Sequence, residues 1–268
     1  MQINSESHVI LGLDVSTACI GVSIIEDNPE YSKPQIISIT HKTPKIPGKI
    51  KGIESLCLKK NLFDKEFLNK IDEYTDKKIT NVVIEEPLLS SNNAYTVAEL
   101  LRFNGMIAEG VYNILGIVPN FISSYDARTF SFPELLSIRK HNKKGEQYQL
   151  SHILNDIKNN HLVLFGAYPF DVDKKTVMMD MVNSYYTGEE AIPWEINKKG
   201  NIAKENYDAC DSLICALAFI NVNKYGISKP TIKEYSVDQL TDRTIIKYTS
   251  LMWDKEYNKV IELTKGGR

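Results

Sequence analysis

The first apolar stretch of the chain is "HVILGLDVSTACIGVSII", residues 8–25. Apolar positions run nearly unbroken on both sides of a small polar turn, "VSTAC". That pattern predicts two paired strands over 8–14 and 20–26. A third strand is expected over 35–41, "QIISITH", where apolar and polar residues alternate as on a half-buried surface. Pro44, Pro47 and Gly48 mark its exit. From 49 to 76 Ile50, Ile53, Leu56, Leu62, Phe63, Phe67 and Ile71 recur at helical spacing. "NVVIEE" at 81–86 is a short β-branched run closed by Pro87, and reads as a buried parallel strand.

Residues 93–115 predict a long helix with Gly116 as its C-cap. A short strand is expected over 118–123, and "SYDARTF" opens a helix with Ser124 or Asp126 as the cap. The order β-β-β-α-β-α-β-α, with three leading strands able to pair antiparallel, implies an α/β protein: a mixed sheet with helices on its faces. Residues 131–172 are less regular, with a polar loop, "HNKKGEQYQ", and a short helix, "LSHILNDIKNN". Helices are expected over 174–187 and 204–222, the second being the most apolar in the chain. The tail from 228 predicts a helix near 251–264.

Composition narrows the class. The 268 residues suit one large domain or two small ones, and 43% apolar with 25% charged residues is ordinary for a globular chain. No apolar run approaches the ~20 residues of a membrane helix. "MQINSESHVI" has neither a basic n-region nor an apolar h-region, so no secretion signal is expected. Cys19, Cys57, Cys210 and Cys215 form no C-x-x-C pair. They read as reduced core or surface thiols in a cytosolic-type compartment, and not as zinc ligands or a disulfide frame. The net charge of −2 weighs against a broad nucleic-acid-binding face. Local basic clusters remain: "RKHNKK" at 139–144, Lys174–Lys175, and Lys198–Lys199 with Lys204. Each of these, taken alone, reads as a solvated face.

Several acids interrupt apolar elements. Asp14 ends the first strand, Glu85 and Glu86 end the fourth, and Asp208 and Asp211 lie three apart on the most apolar helix. The i, i+3 spacing puts the last two on one helical face, and the ends of strands in an α/β sheet are where ligands bind. Singly, each acid has a plain reading: Asp14 as a turn residue, Glu86 as a solvent-facing neighbour of Glu85, Asp208 as a first-turn acid. Together they are harder to dismiss, because buried like charges cost several kcal/mol each unless paired. Residues 9–25, 79–91 and 206–220 contain no Lys or Arg to pair with them. That tilts the balance toward metal ions, and carboxylates alone suit Mg²⁺ or Mn²⁺.

The residues also carry a resemblance. "ILGLDVSTACIGVSII" resembles the opening strand pair of RuvC-like Holliday junction resolvases, nucleases of the RNase H-like superfamily. "VVIEEPLLSSNNA" is similar to their second motif, a strand ending in the second acid, and "YDACDSLICALA" to their third, a helix carrying D-x-x-D. "LLRFNGMIAEGV", "SSYDARTF" and "DKKTVMMDMV" are weaker echoes in the same order. The resemblance covers residues 8–130 and 172–222.

It implies an RNase H-like fold: a mixed five-stranded sheet with three leading antiparallel strands and helices on both faces. It implies a nuclease domain over 1–225, with 131–172 inserted, and a C-terminal extension over 226–268. Carried over by position, Asp14, Glu85, Asp208 and Asp211 become a catalytic tetrad holding two Mg²⁺ ions, with Mn²⁺ as a substitute. Lys174 matches the basic residue near the scissile phosphate. Leu88 falls where an aromatic often stacks on junction bases, a role leucine fills poorly. The implied activity is metal-dependent cleavage of branched DNA, Holliday junctions first, by a homodimer of phage or viral type without nucleotide cofactor or membrane.

Two other classes compete. An actin-like ATPase or sugar kinase also opens with Gly-x-Asp-x-Ser/Thr, but it needs further Gly-rich phosphate and adenosine motifs. Only 14 glycines are present, with Gly266–Gly267 as the sole doublet. A non-catalytic RNase H-like binding or structural module is the third reading, and the intact set of acids argues against it.

Overall fold

The computed structural model describes residues 7–87, 93–131, 174–225, 234–238, 243–254 and 259–266. Strands β1 (His8–Val15), β2 (Ile20–Asp27) and β3 (Gln35–Lys42) form an antiparallel meander. Helix α1 (Gly52–Glu66) leads through a 3₁₀ turn, Leu68–Glu73, to β4 (Asn81–Glu86). Helix α2 (Ala94–Leu115), β5 (Asn120–Ser123) and α3 (Ser124–Phe130) follow. Helices α4 (Lys174–Tyr185) and α5 (Glu205–Tyr225) complete the helical set among the described residues.

The sheet order is β3-β2-β1-β4-β5, with β4 parallel to both β1 and β5. This is the expected mixed five-stranded sheet, with its three leading strands antiparallel. β1 and β4 lie inside it and carry the first two acids at their C-terminal ends.

Side-chain alternation assigns each face. Leu11 faces Ile24 and Val82 across the ladders, and Leu13 faces Val22 and Ile84. These residues are buried with Leu56 and Phe63 of α1 and Phe103, Ile107 and Val111 of α2, so one face of the sheet is covered by α1 and α2. Gly12, Ser23 and Gly21 belong to the opposite face. A β-carbon on Gly12 would meet the backbone oxygen of Ser212, which shows α5 seated directly on the strands there. Helices therefore cover both faces.

The expected boundaries shift for physical reasons. The helix expected over 49–76 breaks at Phe67, which leaves helical geometry at φ −130° while its buried ring packs against Phe63 and Tyr74. β5 starts at Asn120, because Pro119 has no N–H to donate to a ladder. The start of α3 is tied by neither expected residue: Ser123 Oγ accepts from the Asp126 N–H at 3.1 Å. At α2 the cap is Asn93, whose Oδ1 accepts from the N–H groups of Tyr95 and Thr96, and Gly116 ends the helix at φ +70°.

The tail corrects a larger expectation. In place of a helix near 251–264, strands β6 (Glu234–Asp238), β7 (Arg243–Asp254) and β8 (Lys259–Gly266) form a separate antiparallel sheet. Apolar residues at 251–253 and 260, 261 and 263 fit either period. The β-branched Thr244, Ile245, Ile246, Val260, Ile261 and Thr264 favour strands.

Two compact units result, one from 1–128 and 178–219, the other from 129–177 and 220–268. The helix expected within 131–172 and the loop that carries Leu88 lie outside the described residues.

Candidate metal centre

Asp14 is placed by the β1–β2 ladder, where it faces Gly21. Leu13 pairs with Ile84 in the parallel β1–β4 ladder, so Asp14 and Glu85 are each the next residue along and project on the same side. That is the face covered by α5. Glu86 alternates to the other side and is exposed. The structure brings Asp14, Glu85 and Asp211 together, with one carboxylate oxygen from each lying within 4.8 Å of the others. Asp211 is buried, and the other two acids are partly buried.

Asp208 sits one helical turn earlier and lies outside that three-residue cluster. Its carboxylate bonds the Cys19 thiol. Burial, and then Asp208, push that thiol far above its ordinary range, so it remains a hydrogen-bond donor. Cys215, one turn beyond Asp211, donates to Glu85 Oε2 across 3.9 Å. Burial foremost, followed by the charges of Glu85, Asp14 and Asp211, pushes this thiol up as well. Both cysteines are therefore neutral donors beside carboxylates. The sequence signal for Cys215 was its i, i+4 spacing from Asp211, which puts both on one helical face.

The turn after Asp14 is held tightly. Ser16 Oγ accepts from the N–H groups of Ala18 and Cys19 and donates to the Cys19 carbonyl at 2.8 Å. Lys59 of α1 reaches the Thr17 carbonyl at 2.6 Å. From α2, Asn104 Nδ2 donates to the Val15 carbonyl at 3.3 Å. The end of β1 and the turn after it are thus tied to two helices.

A cation does reach the acids, from an element the sequence did not connect with them. Arg128 Nη2 of α3 lies 3.9 Å from Asp211 Oδ1. Lys174 is the first residue of α4, in the other compact unit, and its side chain lies outside the described part of the structure.

The donor set fits a divalent ion. All three groups are hard carboxylate oxygens of the kind Mg²⁺ and Mn²⁺ prefer. Oxygens on an octahedral Mg²⁺ stand about 3 Å apart when adjacent and about 4 Å when opposite, so a spread of up to 4.8 Å closes by side-chain rotations of about 1–2 Å.

No family model and no curated protein matches the chain. Among solved structures it is similar to Thermus thermophilus RuvC, at 13% identity and TM-score 0.46, over 81% of this chain and 96% of that one. The T. thermophilus RuvC complex with a Holliday junction substrate gives 11% identity and TM-score 0.47, over 82% and 96%. An Aquifex aeolicus PPX-GPPA enzyme gives 14% and 0.31, over 47% and 41%. Likenesses at this level carry no functional argument; the chemistry of the site has to carry it. No described helix is long and apolar enough to cross a membrane.

Proposed function

We propose that this chain is a metal-dependent endonuclease that hydrolyses phosphodiesters in branched DNA, with four-way junctions as its foremost substrate. The observation that carries this reading is the convergence of Asp14, Glu85 and Asp211 at the ends of two inner strands and on a helix packed over them. Such a cluster has little structural use by itself, since buried like charges destabilise a fold unless cations balance them, and Arg128 brings one positive charge against three carboxylates. The order of the three motifs along the chain supports the choice of a RuvC-like nuclease.

Asp14, Glu85 and Asp211 would hold the ion, Mg²⁺ or Mn²⁺. A divalent ion held there would supply Lewis-acid activation of water at neutral pH and would offset charge on the leaving oxygen. In the reaction, a water oxygen bonds to phosphorus and the P–O3′ bond breaks. One water proton passes to the 3′ oxygen and the other to solvent, leaving a 5′ phosphate and a 3′ hydroxyl. Asp14 acts as the fixed ligand, because its strand end is held from α1 and α2. The Cys215 thiol orients Glu85 through its hydrogen bond, as second-layer donors do for metal-binding carboxylates. Asp208, the fourth acid that the resemblance implies, lies one turn earlier beside Cys19 and outside the three-residue cluster. The resemblance alone would give Lys174 the role of supplying positive charge near the scissile phosphate. A homodimer places two such sites on two strands of one junction.

The test is a cleavage panel of four-way, forked, flapped and linear duplex DNA, with Mg²⁺ and with chelator. The reading expects metal-dependent nicking of branched substrates, the four-way junction foremost. Absence of cleavage of every branched substrate in Mg²⁺ and in Mn²⁺ would overturn it.

A further inference from the structure

Arg128 enters the acid cluster by a rigid route. It lies on α3, whose first turn is tied by Ser123 Oγ. The feeding strand β5 pairs in register with β4, placing Ile122 beside Glu85 and Ser123 beside Glu86. The strand that presents Glu85 and the strand that leads directly into the Arg128 helix are thus neighbours in one ladder. The Arg128 side chain is only 17% exposed. Its Nη2 lies 3.9 Å from Asp211 Oδ1. A guanidinium stays charged at any working pH and presents several donors in a fixed plane, the geometry that suits phosphate oxygens.

The acids divide unequally around it. Asp14, Glu85 and Asp211 form one compact cluster, while Asp208 bonds Cys19. One divalent ion and one guanidinium together match the negative charge of the three clustered carboxylates. A second divalent ion would have to settle beside a largely buried cation, with Asp208 taken from its thiol partner.

We propose that Arg128 stands in for a second metal ion: the site binds one divalent ion among Asp14, Glu85 and Asp211, and the Arg128 guanidinium supplies the other positive charge for the displacement at phosphorus. This rests on the nuclease reading and departs from the two-ion arrangement that the resemblance implies.

Calorimetric titration of the full chain with Mn²⁺, without DNA, measures the ion count. One ion per chain is expected, and one ion still in Asp208→Asn. Two ions in the wild-type chain would overturn the inference and leave the nuclease reading standing, whereas no binding at all would remove both. Arg128→Gln is expected to bind Mn²⁺ about tenfold more tightly, since a positive charge leaves the neighbourhood of the ion. The same variant should cleave a four-way junction at least about 100-fold more slowly. Arg128→Lys should recover part of that rate while keeping one ion. A folded Arg128→Gln chain, checked by its melting curve, with unchanged Mn²⁺ affinity and cleavage rate would overturn the proposal. If that variant does not fold, the wild-type and Asp208→Asn ion counts decide.

Discussion

A β-carbon on Gly21 would lie 1.9 Å from the backbone oxygen of Asp208. Gly21 is also the residue that faces Asp14 across the β1–β2 ladder. The helix bearing Asp208 and Asp211 therefore rests in a notch made by the absence of a side chain beside Asp14. Backbone cannot yield as a flexible side chain would. Gly21→Ala should lift the start of α5 off the sheet and cost about 1–3 kcal/mol in stability. Mn²⁺ affinity should fall with it. Calorimetry on the folded variant checks this, and wild-type affinity would show that the notch does not set the distance between the acids.

Asn104 spans from α2 to the end of β1. It is buried, and its Nδ2 serves the carbonyls of Val15 and Leu100. Asn104→Ala removes the donor and should cost about 1–3 kcal/mol in chemical denaturation. Because Val15 follows Asp14, Mn²⁺ affinity should weaken too. A loss of stability with no change in affinity would limit Asn104 to a packing role.

The thiols differ in access. Cys57 is exposed, while Cys19, Cys210 and Cys215 are buried. Burial and the adjacent acids hold Cys19 and Cys215 protonated, which also removes the reactive thiolate. Brief alkylation of the native protein at pH 8, read by mass spectrometry, should label Cys57 first and spare Cys19 and Cys215 until denaturant is added. Rapid native labelling of Cys215 would contradict its place beneath the acid cluster.

Glu26, the penultimate residue of β2, is held below its ordinary carboxyl value of 4.5, chiefly by the hydrogen bond from Lys77 and also by that from Ser7. A lowered value in the folded state means stability present above the unfolded value and lost as pH falls through the folded one. Melting curves of the wild-type chain should therefore drop across the region below pH 4.5 by more than those of Glu26→Gln. Parallel acid limbs would show that this pair does not contribute.

Most of the sheet was legible because its strands announce themselves locally. β1, β2 and β4 are apolar runs bounded by polar or turn residues, and the choice of Glu85 over Glu86 follows once β4 is placed parallel to β1. The Asp208–Asp211 face was readable from spacing alone. The separation of the two along the helix, one with Cys19 and the other with Asp14 and Glu85, was not, since it depends on where α5 lands on Gly12 and Gly21. Arg128 escaped notice for the same reason. The acid-bearing segments contain no basic residue, and its approach is decided by the pairing of β5 with β4. The tail was misread because short apolar groups without clear periodicity do not separate strand from helix, and its pairing partners lie further along the chain.

The central claim is tested most directly by Asp14→Asn on a four-way DNA junction in Mg²⁺. The substitution keeps the shape and removes a charged ligand from the metal cluster. Cleavage should fall below detection while junction binding in a gel-shift assay stays within about threefold of wild type, a difference of less than 1 kcal/mol. Cleavage by Asp14→Asn at the wild-type rate would contradict the account.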